Sequence, residues 1–111
     1  MKRGEVWMVD FGTPSGPEQA GVRPAIVLQD DELNQDLETS IVIPLTSKTK
    51  RLSIPTTVFF PAGEAGLTQD SVALCHQVQV RGKARFLSLL GSPTPIRLAE
   101  VQTALLDALG L

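Results

Sequence analysis

Five short runs rich in β-branched, aromatic and other apolar residues follow one another, each punctuated by glycine, proline or a polar turn, and only the end of the chain changes period. The runs are "EVWMVDF" (5–11), "PAIVLQ" (24–29), "TSIVIPL" (39–45), "IPTTVFFPAG" (54–63) and "DSVALCHQVQV" (70–80). Strands at intervals of about 10–20 residues predict a small barrel or sandwich rather than alternating βα units. The loop "GTPSGPEQAG" (12–21) carries three glycines and two prolines, so a long, shaped hairpin connection is expected in place of a tight turn. "DDELNQDLE" has room for one helical turn at the surface, and Pro44 near the end of its run points to an edge or a bulge. In "TPIRLAEVQTALLDALGL", Thr94 suits an N-cap and Pro95 the first helical position. Leu98, Val101, Leu105 and Ala108 then form one apolar stripe at helical spacing, and Gly110 serves as the stop. The expected class is α+β: one domain over residues 1–111, a compact and mostly antiparallel β-barrel with a packed C-terminal helix.

Several function classes drop out on composition. No run approaches 18 consecutive apolar residues, so no membrane-spanning helix and no membrane partner are expected. "MKRGEVWMVDFG" lacks the apolar core and cleavage site of a signal peptide, which makes the cytoplasm the expected location. A single cysteine, Cys75, allows neither an internal disulfide nor a cysteine-based zinc site, and a single histidine, His76, rules out paired-histidine metal sites. No cofactor or metal is expected, since the Asp30/Asp31/Glu32 run lacks the ligand spacing of a calcium or magnesium loop. The formal net charge of −2 argues against a polyanion partner, but its distribution does not. Five acids (Asp30, Asp31, Glu32, Asp36 and Glu38) share one stretch, and elsewhere basic residues outnumber acidic ones. The basic residues gather in "SKTKR" (47–51) and "RGKAR" (81–85), where local sign governs steering; either cluster alone also reads as a solvated turn.

Chemistry-bearing residues sit at the expected strand ends. Arg23 precedes Pro24, whose ring biases its neighbour toward extended backbone and suits the first position of a strand. Thr46 follows "IVIPL" just as Arg23 precedes "PAIVL". If those strands pair antiparallel, guanidinium and hydroxyl converge, a combination suited to a phosphodiester. The competing reading is a rim arginine paired with a surface carboxylate. Trp7 reads as core, and Cys75 as a small buried residue. Cys75 and His76 stand at adjacent strand positions and so point to opposite faces, which disfavours a nucleophilic pair.

"RGEVWMVDFGTPSGPEQAGVRPAIVLQDD", followed by "IVIPLTS", "DSVALCHQV" and "ALLDALGL", resembles the MazF/PemK family of bacterial toxins over residues 3–111. The resemblance implies an SH3-like barrel with added helices, a homodimer, and a toxin that cuts single-stranded RNA at short sequences until a cognate MazE-like antitoxin neutralises it. It assigns Arg23 and Thr46 to catalysis. The implied reaction uses the substrate 2′-OH as nucleophile, without a metal, and gives 2′,3′-cyclic phosphate and 5′-OH ends. Glu18 and Gln19 match positions along the RNA groove; Ser47, Lys48 and Gln77 complete the expected RNA-binding set. The PemK-type trio is absent, because Leu74, His76 and Pro17 stand where those members carry Arg, Asp and His. His76 is therefore either a catalytic proton acceptor, a role an imidazole fills more readily than a guanidinium, or a lining residue of the groove. The alternative is a non-enzymatic toxin of the related CcdB type that binds DNA gyrase. It has no need of the Arg23/Thr46 pair, and the "ALGL" ending lacks the Trp-Gly-Ile tail of such toxins. An RNA-binding module without chemistry is a third reading.

Overall fold

β-propensity carries this chain further than the five runs suggest. In the computed structural model, which describes residues 1–13, 16–50 and 54–111, the strands are β1 (Val6–Asp10), β2 (Val22–Val27), β3 (Thr39–Thr46), β4 (Thr57–Phe60), β5 (Ser71–Leu74), β6 (Gln79–Gly82) and β7 (Phe86–Gly91). Two helices accompany them, α1 (Asp31–Asp36) and α2 (Pro95–Leu109). The sheet is antiparallel in the order β4-β5-β3-β2-β1-β7, with β6 also paired to β3. Among the described residues no pairing joins β4 to β7. The class is α+β as expected, but the sheet is open, and the closed barrel is not seen.

β3 organises the sheet. One edge pairs with β2, Ala25 opposite Pro44 and Val27 opposite Val42. The other edge is shared: Thr39–Val42 face β6, and Leu45–Thr46 face β5. Pro44, with no amide hydrogen to give, falls in the gap between those two partners. The single strand expected over 70–80 is therefore two strands. A 3-10 turn at Cys75–Gln77 absorbs the change of register between them. Pro24 also needs a correction, since it is the third residue of β2 and not the first. The Val27 amide donates to Glu5 O of the segment leading into β1, and the Leu28 amide to Ile41 O of β3. By that alternation the donor missing at Pro24 lies on the β3 side, one residue before that ladder begins. The sequence reading also missed β7. Among the described residues it is an edge strand that bonds only β1, with two register shifts, so it lacks a clean two-residue burial pattern.

The central strands are buried on both faces. Ile26, Ile43, Leu45 and Phe60 pack beneath α2 through Val101 and Ala104, while Val9, Phe11, Ala25, Val27 and Val42 form a second cluster. Full burial of each large side chain contributes about 1.5–3 kcal/mol. Trp7 is only half-buried; it meets Phe86 edge-on at 6.1 Å and donates to Glu5 Oε1 at 3.1 Å. α2 begins where expected, its Thr94 hydroxyl accepting from the Arg97 amide, and ends at Gly110 (φ 73°). Leu98 and Leu105 flank Val101 on the core face, joined by Ala104, which the predicted stripe omits. The one expected turn in the acidic stretch is α1, capped by Asp30 and pinned by a buried Gln29–Asn34–Ser40 network.

Candidate active site

The β1–β2 hairpin places Arg23. Gly12 and Gly21 adopt left-handed φ of 80° and 74°, and the Gly21 amide donates to Gly12 O at 2.7 Å. That closure brings the Ala20 carbonyl back to the strand, where it accepts from Arg23 Nε at 2.6 Å. Among the described residues the terminal nitrogens of Arg23 have no partner, and no carboxylate pairs with it. The guanidinium is thus held by its neck with its fork unengaged. Thr46 is the last residue of β3 and is buried, its hydroxyl accepting from the Lys48 amide at 3.2 Å. Continued by two residues, the β2–β3 register sets Arg23 opposite Thr46.

Both residues line one cavity of about 380 Å³ at that end of the sheet. Met8, Val22, Pro24, Leu45 and Ser47 complete their side; Gly66, Leu67, Thr68, Gln69, Ser71 and Leu90 supply the other. No described carboxylate or imidazole is among these residues. The sequence reading had no hold on most of the second wall, because "EAGLTQ" (64–69) falls between two strand runs and shows neither strand nor helix period; Gly63 and Gly66 were the available signal.

The remaining expected residues divide between this cavity and its surroundings. Ser47 lines the cavity and is exposed, and Lys48 is exposed beside it. Glu18 is exposed in the hairpin loop, whereas Gln19 is buried, its amide donating to Gln77 Oε1 at 2.9 Å. That bond joins the hairpin loop to the Cys75–Gln77 turn. His76 is exposed in the same turn, outside the cavity lining, and its Nδ1 lies 2.9 Å from Thr56 Oγ1. Cys75 and His76 are therefore turn residues, not strand neighbours, which corrects the opposite-face expectation. Cys75 is still no nucleophile, because burial pushes its thiol up to about 12 and keeps it protonated.

The basic clusters are less available than their sequence suggests. In 81–85, Arg81 stacks over Phe11 at 5.2 Å and Arg85 pairs with Asp10 at 3.5 Å. In 47–51, Arg51 lies outside the described residues, as do Pro14 and Ser15 of the hairpin loop. Beyond the cavity's second wall, Arg97 meets Glu64 at 3.1 Å and is pushed up from its ordinary value, chiefly by that hydrogen bond. Among the described residues no three His, Cys, Asp or Glu side chains gather as metal ligands, and no helix is long and apolar enough to cross a membrane.

Comparison with known proteins gives this geometry its context. Residues 2–109 match the family model described as PemK-like, MazF-like toxin of type II toxin-antitoxin system. The chain is 33% identical over 111 residues to Endoribonuclease MazF of Staphylococcus saprophyticus, covering 100% of this chain and 92% of that protein. It superposes with a TM-score of 0.85 and 27% identity on the crystal structure of MazF from Deinococcus radiodurans, covering 100% of this chain and 97% of the other. A mycobacterial endoribonuclease in complex with its cognate antitoxin matches with a TM-score of 0.84 and 26% identity, over 100% and 96% of the two chains. The sequence, the sheet order with its terminal helix and these relatives agree, and the chain belongs to the PemK-like, MazF-like toxins of type II toxin-antitoxin systems.

Proposed function

We propose that this chain is the toxin endoribonuclease of its system, cutting single-stranded RNA at short sequences in the cavity between Arg23 and Thr46. The observation that carries the reading is an arginine fork with no partner among the described residues and a buried threonine hydroxyl on the same cavity, in a chain whose relatives are named endoribonucleases. The substrate 2′-OH attacks the adjacent phosphorus, forming the 2′-O–P bond as the P–5′-O bond breaks. The products are a 2′,3′-cyclic phosphate and a 5′-OH. Arg23 neutralises the equatorial oxygens of the pentacoordinate phosphate with two parallel N–H donors. Thr46, its oxygen already accepting from the Lys48 amide, directs its own hydrogen to a nonbridging oxygen, and Ser47 supplies a second hydroxyl. An arginine stays protonated in proteins, so Arg23 is no base. The 2′-OH proton leaves to water, and the departing 5′-oxygen takes one from water. No step calls for a metal.

Glu18, Gln19, Lys48 and Gln77 belong to the RNA groove beyond the cavity, Gln19 by shaping the loop from its buried position. His76, outside the cavity lining, serves as an RNA contact in place of the proton acceptor. A homodimer and an acidic MazE-like antitoxin segment that occupies the groove complete the proposal. Leu87 and Leu89, each more than half exposed on β7, support a second copy docking there. The mycobacterial relative bound to its cognate antitoxin supports the second partner. None of these relatives supports the gyrase-binding alternative.

An RNA oligonucleotide carrying the preferred sequence, with a single 2′-deoxy nucleotide 5′ to the cut, tests the nucleophile. The account predicts that this one change stops cleavage at that bond and leaves binding within a few-fold. Cleavage at an unchanged rate would show that water, not the 2′-OH, attacks.

A further inference from the structure

The second wall of the cavity has a chemistry of its own. After β4 the chain returns to β5 through residues 61–70, and Thr68 and Gln69 stand exposed on the cavity at the end of that turn. Among the described residues neither the Thr68 hydroxyl nor the Gln69 carboxamide has a protein partner. The wall is neutral, with paired donors and acceptors, while the facing wall carries the Arg23 charge. A neutral wall brings no charge to offset a phosphate's, which the Arg23 side already supplies. Its chemistry suits the hydrogen-bonding edge of a base, as single-stranded RNA presents when a base is unstacked.

The turn that carries these side chains is held from several directions. The Gly63 amide donates to Leu67 O at 2.7 Å, and the Ala62 amide to Asp70 Oδ1 at 2.9 Å. Arg97 of α2 grips the Glu64 carboxylate through Nε at 3.1 Å and Nη2 at 3.3 Å. Ala65 and Gly66 are consecutive left-handed residues with φ of 54° and 75°, a conformation that costs an alanine about 1 kcal/mol. Backbone strain of this kind persists only where the surroundings impose it, and it concentrates at functional sites. Leu67, just before the exposed pair, is buried in the core. Thr68 and Gln69 are thus presented from a fixed turn, which base reading requires, since a mobile amide would bond any edge equally.

We propose that Thr68 and Gln69 are specificity-determining residues that hold one base flanking the scissile phosphate by its hydrogen-bonding edge while Arg23 meets the phosphate. This rests on the reading of the cavity as the site of RNA cleavage. A carboxamide matches a base edge that sets a donor beside an acceptor, and Gln69 carries the larger share of the discrimination.

A random-sequence single-stranded RNA pool, cut by the wild type and by Gln69→Ala and sequenced at its new ends, provides the test. Both residues are exposed, so thermal unfolding should be unchanged in Gln69→Ala and in the companion Thr68→Val. The expected result is a loss of base preference at one position next to the cut, with the other positions retained. On the wild type's best sequence, kcat/KM falls about tenfold. A preference profile identical to the wild type at every position would overturn the assignment, as would a uniform loss across all sequences. If the wild type cuts no RNA, the ribonuclease reading itself fails. If it cuts and Gln69→Ala keeps the profile, only this inference does.

Discussion

Arg23→Ala lowers single-turnover RNA cleavage by about a thousandfold or more and leaves the fold standing. The size of the loss follows from what the side chain would do. Among the described residues it is the only cation lining the cavity, and removing a cation aimed at transferring phosphoryl oxygens costs about 10³–10⁵ in rate. The small effect on stability follows from what it touches. Its hydrogen bond to Ala20 O holds a half-buried rim residue, and such bonds contribute about 1 kcal/mol. Arg23→Lys is expected to recover little activity, because an ammonium restores the charge but not the two-pronged geometry. Cleavage assays beside thermal unfolding separate the two effects, and loss of folding in Arg23→Ala would make the residue structural.

Gly66→Ala is the substitution expected to damage the protein most. A methyl group there would sit 2.1 Å from the Leu90 carbonyl oxygen and 2.7 Å from its carbon, and the backbone is already left-handed. A neighbouring side chain could turn aside, but a backbone carbonyl of β7 cannot. Either β7 shifts off the turn or the turn leaves the cavity, at a cost of about 3 kcal/mol or more from overpacking and backbone strain together. Chemical denaturation should show the loss directly, with activity falling alongside it because Gly66 and Leu90 both line the site. Gly63→Ala provides a contrast. Its φ of 95° is as unfavourable, but among the described residues no atom beyond its chain neighbours lies within 4 Å of the added carbon, so only the smaller conformational cost applies. Equal losses at the two positions would contradict the packing explanation.

These two residues mark the limits of what the sequence discloses. Arg23 and Thr46 could be paired from the sequence because each abuts a run of apolar residues, and antiparallel neighbours bring such ends together. The terminal helix was legible from its cap, proline, stripe and stop, all local signals. Gly66 was not legible. Its role depends on Leu90, which lies in a strand without clean alternation that touches the turn only through the tertiary fold. The break between β5 and β6 was hidden for a similar reason: "DSVALCHQVQV" is continuous in propensity, and only its shared partner β3 forces the turn at Cys75–Gln77. That turn is also what takes His76 out of the strand and away from the cavity lining. The basic cluster at 81–85 misled in the opposite direction, since Phe11 and Asp10, distant in sequence, engage two of its cations.

The most direct measurement incubates the purified protein with a long single-stranded RNA in EDTA and maps the chemistry of the new ends. The account predicts cuts at a recurring short sequence, with 2′,3′-cyclic phosphate on one side and 5′-OH on the other. Intact RNA, or cleavage that requires an added divalent metal and leaves 5′-phosphate ends, would contradict it.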